Sequence, residues 1–355
     1  MWDFRLFSYG YRQRGVGTFA AGMARAIAGA VDPGDIEIYI WGNKSHVPAD
    51  LARHAAKWVG YTKGSWVTDL LVVPFLILRH RIDLFHYWIA LGPVFRIGIG
   101  LFHPGRTSMT IHDCAVQFLQ GNGHLDHVRG TTYWRVQKKL LECAGAIVCN
   151  SRKTEEEVRT ILKDKPVRTS VIYLPVAKAG PHNLARTKTF VTLAGAPHKN
   201  VRGVVQGFME FAKSHPGFCC AVLGVIDTSE QPLPESECIR REGMDRYEYY
   251  LDNAAGIAVC STYEGLGIPV LDALSRGCPV IASDMPVFHE TCGDGFARFV
   301  DPRNPAAIAE GLSDVADHQE EWMKKSEQGY ERYRKMSEPA GRDWVALYDS
   351  LCVKK

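Results

Sequence analysis

The 355-residue chain has no hydrophobic run long enough to cross a bilayer. Its longest, LLVVPFLIL at residues 70–78, falls far short of the roughly 20 residues that a spanning helix needs. Residues 1–30 do not read as a signal peptide, because they hold a glycine-rich polar loop and no long apolar core. The ten cysteines and thirteen histidines form no metal-type CxxC pair and no HxH or HExxH, so no metal site is expected. No serine or cysteine sits in a nucleophile elbow. Internal repeats and low-complexity segments are missing as well. Charge of one sign is scarce: 42 Lys and Arg against 39 Asp and Glu leave a net of +3, which makes no case for nucleic acid as a partner. Cys149, Cys219, Cys220 and Cys260 lie in apolar runs, where a free thiol acts as a small hydrophobe. The expectation is a reduced, cytoplasmic chain without a disulfide framework.

What is present is an ordinary globular composition, 46% hydrophobic and 23% charged. The length favours two domains. Strand-like runs at 4–9, 36–41, 82–87, 107–111, 146–150 and 169–174 alternate with helical stretches such as 17–29, 125–143 and 153–162. The alternation breaks in the polar Gly/Pro segment 177–188 and restarts at 189–194, 219–225, near Cys238, and at 256–261, 278–283 and 297–300. Two α/β halves with mostly parallel sheets follow, and the aromatic tail from Gln319 reads as two terminal helices. Segment 70–81 reads as a core helix leading to a strand, or as a surface helix dipping into lipid headgroups beside its basic end.

The stretch EGLGIPVLD, from Glu264 to Asp272, carries the most chemistry. It lies between two strand-like runs, with a helix expected over 268–276. The turn of Gly265, Leu266 and Gly267 opens that helix, where free N–H groups and the helix dipole favour an anion such as phosphate. Carboxylates flank it at both ends, and they bind sugar hydroxyls well. A ligand with phosphate in the middle and hydroxyl-rich ends fits all three features. The plain alternative is a βαβ unit with a glycine turn and solvated acids.

Other candidates follow the same logic. RGVGTFA from Arg14 formally matches the dinucleotide fingerprint GxGxxA, with Glu37 lying 22 residues beyond Gly15. An NAD-dependent reading is weakened because residues 10–14 separate the strand from the glycines, and because Glu37 starts the second strand rather than ending it. The loop still reads as an anion or sugar cradle, with Gly15 and Gly17 for close approach and Arg12 and Arg14 for charge. His112 and Asp113 close a strand at its carboxyl end, which faces the ligand crevice in open α/β sheets. Lys199, in GAPHKN, sits beside a helix N-terminus, and Asn200 is a fair N-cap. Each has a structural alternative: a plain turn, a satisfied strand-end histidine, a solvated lysine. His124 and His127 read as solvated.

Taken together, these residues resemble the retaining glycosyltransferases of family 4, with the two-Rossmann GT-B architecture. The likeness runs nearly end to end. Its most specific piece is EGLGIPVLD. Supporting pieces are the glycines at Arg14–Gly17, the strand end at Ile111–Asp113, the 148–154 strand-to-helix junction, GAPHKN, the REGM stretch from Arg241 to Met244, and Trp344 with Tyr348. The resemblance implies domains at 1–178 (acceptor) and 179–337 (nucleotide sugar), with residues 338–355 crossing back onto the first. It implies that Glu264 contacts the donor sugar, Asp272 holds the ribose, and Gly265, Leu266, Gly267, Gly15, Gly17 and Lys199 bind the diphosphate. His112 would sit by the donor sugar, Asp113 nearer the acceptor, and Arg241–Met244 near the base. No cofactor or metal would be needed, and a nucleotide diphosphate sugar would be the co-substrate. The acceptor would be a saccharide or a lipid-linked saccharide, with possible peripheral contact at the cytoplasmic membrane face. GDP-mannose is the first expectation for the donor, then UDP-glucose or UDP-N-acetylglucosamine.

Two departures stand out. Asp272 replaces the usual glutamate, which withdraws the carboxylate by about 1.5 Å. Ala196 stands where an arginine is usual, and His198 or Arg202 are candidate substitutes. These departures motivate the alternative of a GT-B protein that binds a nucleotide sugar without transferring it.

Overall fold

Short apolar runs covered by helices on both faces become buried parallel strands, and that rule builds two separate units here. In the computed structural model one unit comprises Met1–Pro175 with Ser337–Lys355, and the other Val176–Met336. The structure describes residues 1–8, 15–32, 36–55, 57–59, 72–88, 106–118, 132–163, 165–179, 185–225, 233–234 and 236–352. Arg12, Arg14, His124 and His127, and most of the loops expected to meet an acceptor, lie outside them.

The first unit holds seven strands: β1 (Trp2–Asp3), β2 (Tyr39–Trp41), β3 (Lys57–Trp58), β4 (Phe85–Tyr87), β5 (Thr107–Ile111), β6 (Ala146–Cys149) and β7 (Thr169–Val171). They pair in parallel in the order β3-β2-β1-β4-β5-β6-β7. The order reverses between β1 and β4, which makes the carboxyl ends there a switch point. The C-terminal helix Ala340–Leu351 packs on the helix Gly15–Ala30 of this unit, where Gly341 brings the backbones together at Ala26. Trp344 is fully buried and its indole N–H points at the Met23 sulfur at 3.3 Å.

The second unit repeats the plan with β8 (Thr187–Leu193), β9 (Cys219–Leu223), β10 (Ile239–Glu242), β11 (Ala254–Val259), β12 (Val280–Ser283) and β13 (Arg298–Val300). Their order is β10-β9-β8-β11-β12-β13, again all parallel, with the switch point between β8 and β11. Phe190, Phe208, Ile257, Val280 and Phe288 fill the core on the two faces of this sheet. All ten cysteines are free thiols, and Cys149, Cys220 and Cys260 are core residues.

The structure corrects several expected elements. The run 4–9 is not a strand: β1 ends at Asp3, and Arg5–Ser8 is a 3-10 turn. The cause is local. The Asp3 carboxylate accepts the Arg5 backbone N–H at 3.1 Å and its Nε at 2.9 Å, which competes with the extended chain. The Arg5 guanidinium then stacks 3.6 Å over Trp41. The two-residue edge strand β3 carries no sequence signal. The helix Val73–His80 is mixed, with Ile77 in the core and Phe75 and Leu78 at 58% and 78% exposure.

Candidate functional site

In the second unit the loops after β8 and β11 flank the switch point, and each delivers one charged side chain. The loop after β8 closes as a 3-10 turn, Pro197–Lys199. The loop after β11 runs into the helix Ile268–Ser275. The backbone N–H of Thr262 donates to the His198 carbonyl at 2.8 Å, which ties the two loops together. Across that tie, Lys199 Nζ lies 2.6 Å from Glu264 Oε1. The Ser261 hydroxyl donates to the same oxygen at 2.9 Å, and Ser283 fixes Ser261 by donating to its carbonyl at 2.5 Å. Glu264 is buried at 9% exposure, so its charge is compensated by a lysine and a hydroxyl rather than by bulk water. Ser261 was not singled out by the sequence, although it stands only three residues before Glu264.

Asn200 occupies the N-cap position but does not cap. Its side-chain amide donates to the carbonyls of Cys260 at 3.0 Å and Pro302 at 2.7 Å, so it ties three loops instead. Its backbone sits at φ 53°, a left-handed conformation that asparagine tolerates. His198 is half-buried in the same turn, and Arg202 is in the first turn of the helix Val201–Ser214.

Gly265, Leu266 and Gly267 are all buried, and Gly267 holds the N-cap of the Ile268–Ser275 helix at φ 83°. A Cβ there would stand 2.6 Å from the Phe288 ring, so glycine is required by both backbone and packing. Asp272 lies on the second turn of this helix. Its Oδ2 accepts from the Tyr247 hydroxyl at 3.1 Å. Burial pushes the Asp272 carboxyl up to about 6, against the pull of the Tyr247 hydrogen bond and the Arg276 charge. Tyr247 is held well above its ordinary value by burial and by Asp272, so it remains a phenol donor. Its only sequence signal was its place in a tyrosine-rich helix after Met244.

The residues expected to read a base line the carboxyl edge of β9 and β10. Arg241 is exposed on β10, and Met244 opens the next turn at 49% exposure. Gly224 follows β9 at φ 98°, and a Cβ there would stand 3.2 Å from the Ala194 carbonyl oxygen and 3.6 Å from the Met244 sulfur.

The first unit places its own candidates at its switch point. Gly15 and Gly17 form the first turn of the 16-residue helix Gly15–Ala30, whose leading N–H groups lack intrahelical partners. Phe19 from that helix meets the His112 ring edge-on at 4.8 Å. His112 Nε2 donates to the Trp88 carbonyl at 2.7 Å, and Asn150 holds the His112 carbonyl at 2.8 Å. That bond leaves Nδ1 as the lone-pair nitrogen. Burial lowers the His112 pKa, only partly offset by the Trp88 carbonyl and Asp113, so the ring is neutral. Asp113 is exposed and accepts the Ala115 backbone N–H at 3.0 Å. The dinucleotide reading loses its geometry here: β1 ends at Asp3, far before Gly15, and Glu37 precedes β2 and accepts from Tyr39 at 3.1 Å.

No cluster of His, Cys, Asp and Glu among the described residues could hold a metal ion. Two doubly wound parallel sheets, each with its loops gathered at a switch point, define the GT-B class of glycosyltransferase folds. Residues 14–178 match the model of Glycosyltransferase Family 4, and residues 183–332 that of Glycosyl transferases group 1; the chain belongs to this family. The solved structure of Anabaena HepE with UDP and glucose aligns at a TM-score of 0.66 and 14% identity, covering 93% of this chain and 96% of that one. Sucrose-phosphate synthase from Thermosynechococcus elongatus aligns at 0.65 and 18% identity, covering 94% and 92%. At such identities the likeness establishes the fold. In sequence the chain is similar to O-antigen chain mannosyltransferase B of Escherichia coli, 32% identical over 126 residues. That match covers 32% of each chain, so this chain spans about a third of the length of that relative.

Proposed function

We propose that the protein is a retaining, metal-independent glycosyltransferase. It moves a hexose, with mannose from GDP-mannose the first choice, onto a saccharide or lipid-linked saccharide acceptor. The observation that carries this reading is the Lys199–Glu264 pair, 2.6 Å apart beside the Gly265–Gly267 turn. One site then offers a cation and helix N–H groups for a diphosphate, and carboxylates for sugar hydroxyls. The mannosyltransferase name of the Escherichia coli relative supports the choice of sugar.

As the anomeric bond breaks, negative charge grows on the leaving nucleotide diphosphate. Lys199 and the N-terminus of the Ile268–Ser275 helix stabilise it as preorganised dipole and charge. Glu264 faces the oxocarbenium-like centre. Its second oxygen has no protein donor among the described residues, which leaves it open to the sugar. The acceptor attacks on the same face, and the departing phosphate takes its proton. Neutral His112, anchored through Nε2, offers Nδ1 as a hydrogen-bond acceptor to the donor sugar.

No described helix is long and apolar enough to cross a membrane. The exposed Phe75 and Leu78, beside Arg79 and Arg81, supply a face suited to peripheral contact with an anionic membrane surface.

The test is thermal unfolding against GDP, UDP, ADP, TDP and NAD at equal concentration, followed by transfer assays with the matching sugar nucleotides. One nucleoside diphosphate should raise the transition alone, by about 2.7 kcal/mol of stability at ~100 times its Kd. A shift with NAD alone would sink the reading.

A further inference from the structure

Asp272 shares its surroundings with two charged groups. Glu248 comes from the helix Tyr247–Asn253, and Arg276 follows the end of its own helix. Arg276 spends its guanidinium elsewhere: it holds Asp252 at 2.7 Å and reaches Glu248 at 3.4 Å. Among the described residues, the side-chain donor to the Asp272 carboxylate is therefore Tyr247, and it takes Oδ2. Oδ1 has no protein donor among them. The half-buried carboxylate is held on one oxygen and open to solvent or a ligand on the other. Asp272 lies one helical turn past the Gly265–Gly267 turn, on the helix which that turn opens.

We propose that Tyr247 is a positioning residue: its hydroxyl fixes the Asp272 carboxylate so that Oδ1 accepts a hydrogen bond from a ribose hydroxyl of the bound nucleotide. This rests on the nucleotide-sugar reading of the site. The short side chain of Asp272 has one fewer rotatable bond than a glutamate, and the phenol removes the remaining freedom about its carboxyl group. Tyr247 opens its helix directly after the turn Met244–Arg246. Movement of that turn on nucleotide binding would thus be passed to the ribose contact through one residue. The carboxylate accepts best when ionised, and the phenol favours the ionised form. Removing the phenol raises the carboxyl pKa further, while Glu248 opposes ionisation and Arg276 favours it. Ribose affinity should therefore fall as pH drops, and fall earlier without Tyr247.

The experiment measures Kd for GDP and UDP, and for their 2′,3′-dideoxy forms, by calorimetry between pH 5 and 8. The proteins are wild type, Tyr247→Phe and Asp272→Asn. Tyr247→Phe should weaken the ribose nucleotide about tenfold at neutral pH, as for a hydrogen bond to a charged group. It should leave the dideoxy form unchanged and shift the pH midpoint upward. Asp272→Asn should abolish both the ribose preference and the pH dependence, which keeps the proposal testable if one variant folds poorly. An equal loss for ribose and dideoxy forms, or an unmoved pH midpoint, would overturn the role of Tyr247. Failure of the wild type to bind any of the four nucleotides would instead overturn the donor reading beneath it.

Discussion

Lys199 Nζ and Glu264 Oε1 are 2.6 Å apart across 65 residues of sequence, and each neutralises the other in the unliganded protein. A diphosphate entering beside them must draw the ammonium from the carboxylate, at least in part. The two charges thus have opposed effects on the donor. Under the proposed function Lys199 would attract the phosphates, whereas Glu264 would repel them and serve the sugar. Glu264→Ala should therefore lower turnover by about a hundredfold or more, the usual loss of a preorganised electrostatic group. Nucleoside diphosphate affinity should stay level or tighten, because the lysine is released. Near-normal turnover in this variant would remove Glu264 from the chemistry.

Lys199→Ala should do the reverse. The diphosphate loses its one assigned side-chain cation, and Glu264 keeps a single donor, the Ser261 hydroxyl. Nucleotide affinity should fall by about tenfold or more, as expected for a lost charge-assisted bond. Titration calorimetry with the nucleoside diphosphate found to bind reads this directly. Unchanged affinity would assign the diphosphate to the backbone turn alone.

Much of this arrangement was visible beforehand, and the exceptions share a cause. Strands such as β6 and β12 are largely apolar runs buried along their whole length, so their limits follow from composition. The Ile268–Ser275 helix is punctuated by Gly267, Pro269 and Gly277, which have local meaning. What could not be read was side-chain pairing over distance. For Lys199 the sequence offers a diphosphate contact or a solvated lysine, but not its pairing with Glu264, which lies 65 residues on. Asn200 looked like a helix cap because its carbonyl partners, Cys260 and Pro302, are also remote. The 3-10 turn after Asp3 failed for the opposite reason. Residues 4–9 are rich in apolar and aromatic side chains that fit a strand, and one carboxylate overrides that pattern locally.

Gly267→Ala tests the turn itself. The backbone at φ 83° is a left-handed conformation that costs an L residue about 1–2 kcal/mol. The added methyl meets the fully buried Phe288 ring at 2.6 Å, which adds about 1–3 kcal/mol of overpacking. The second unit should lose about 2–5 kcal/mol in total. Trp322 is the one tryptophan between residues 176 and 336, so its emission during urea unfolding reports on this unit. A wild-type midpoint would mean that the turn relaxes at no cost.

The first unit should weaken in mild acid, and two histidines set the direction. His86 is buried between the hydroxyls of Ser108 at 2.6 Å and Thr110 at 3.0 Å, with the rings of Trp88 and Trp344 against it. Burial, helped by the nearby N-terminal charge, holds its pKa well below 6.5, and burial lowers that of His112 as well. Both rings stay neutral in the folded state, while the unfolded chain takes up protons near pH 6.5. The unfolded state then binds more protons, so stability rises with pH and is lost as pH falls below about 6.5. The limiting slope is about 1.4 kcal/mol per pH unit for each histidine. Seven of the eight tryptophans fall within this unit's residues. Urea unfolding followed by total emission should therefore show a lower midpoint at pH 5.5 than at pH 7.5. His86→Gln should flatten part of that difference, because the amide does not titrate. An equal pH dependence in wild type and His86→Gln would show that His86 takes up its proton without unfolding, through a rearrangement of the Ser108 and Thr110 hydroxyls.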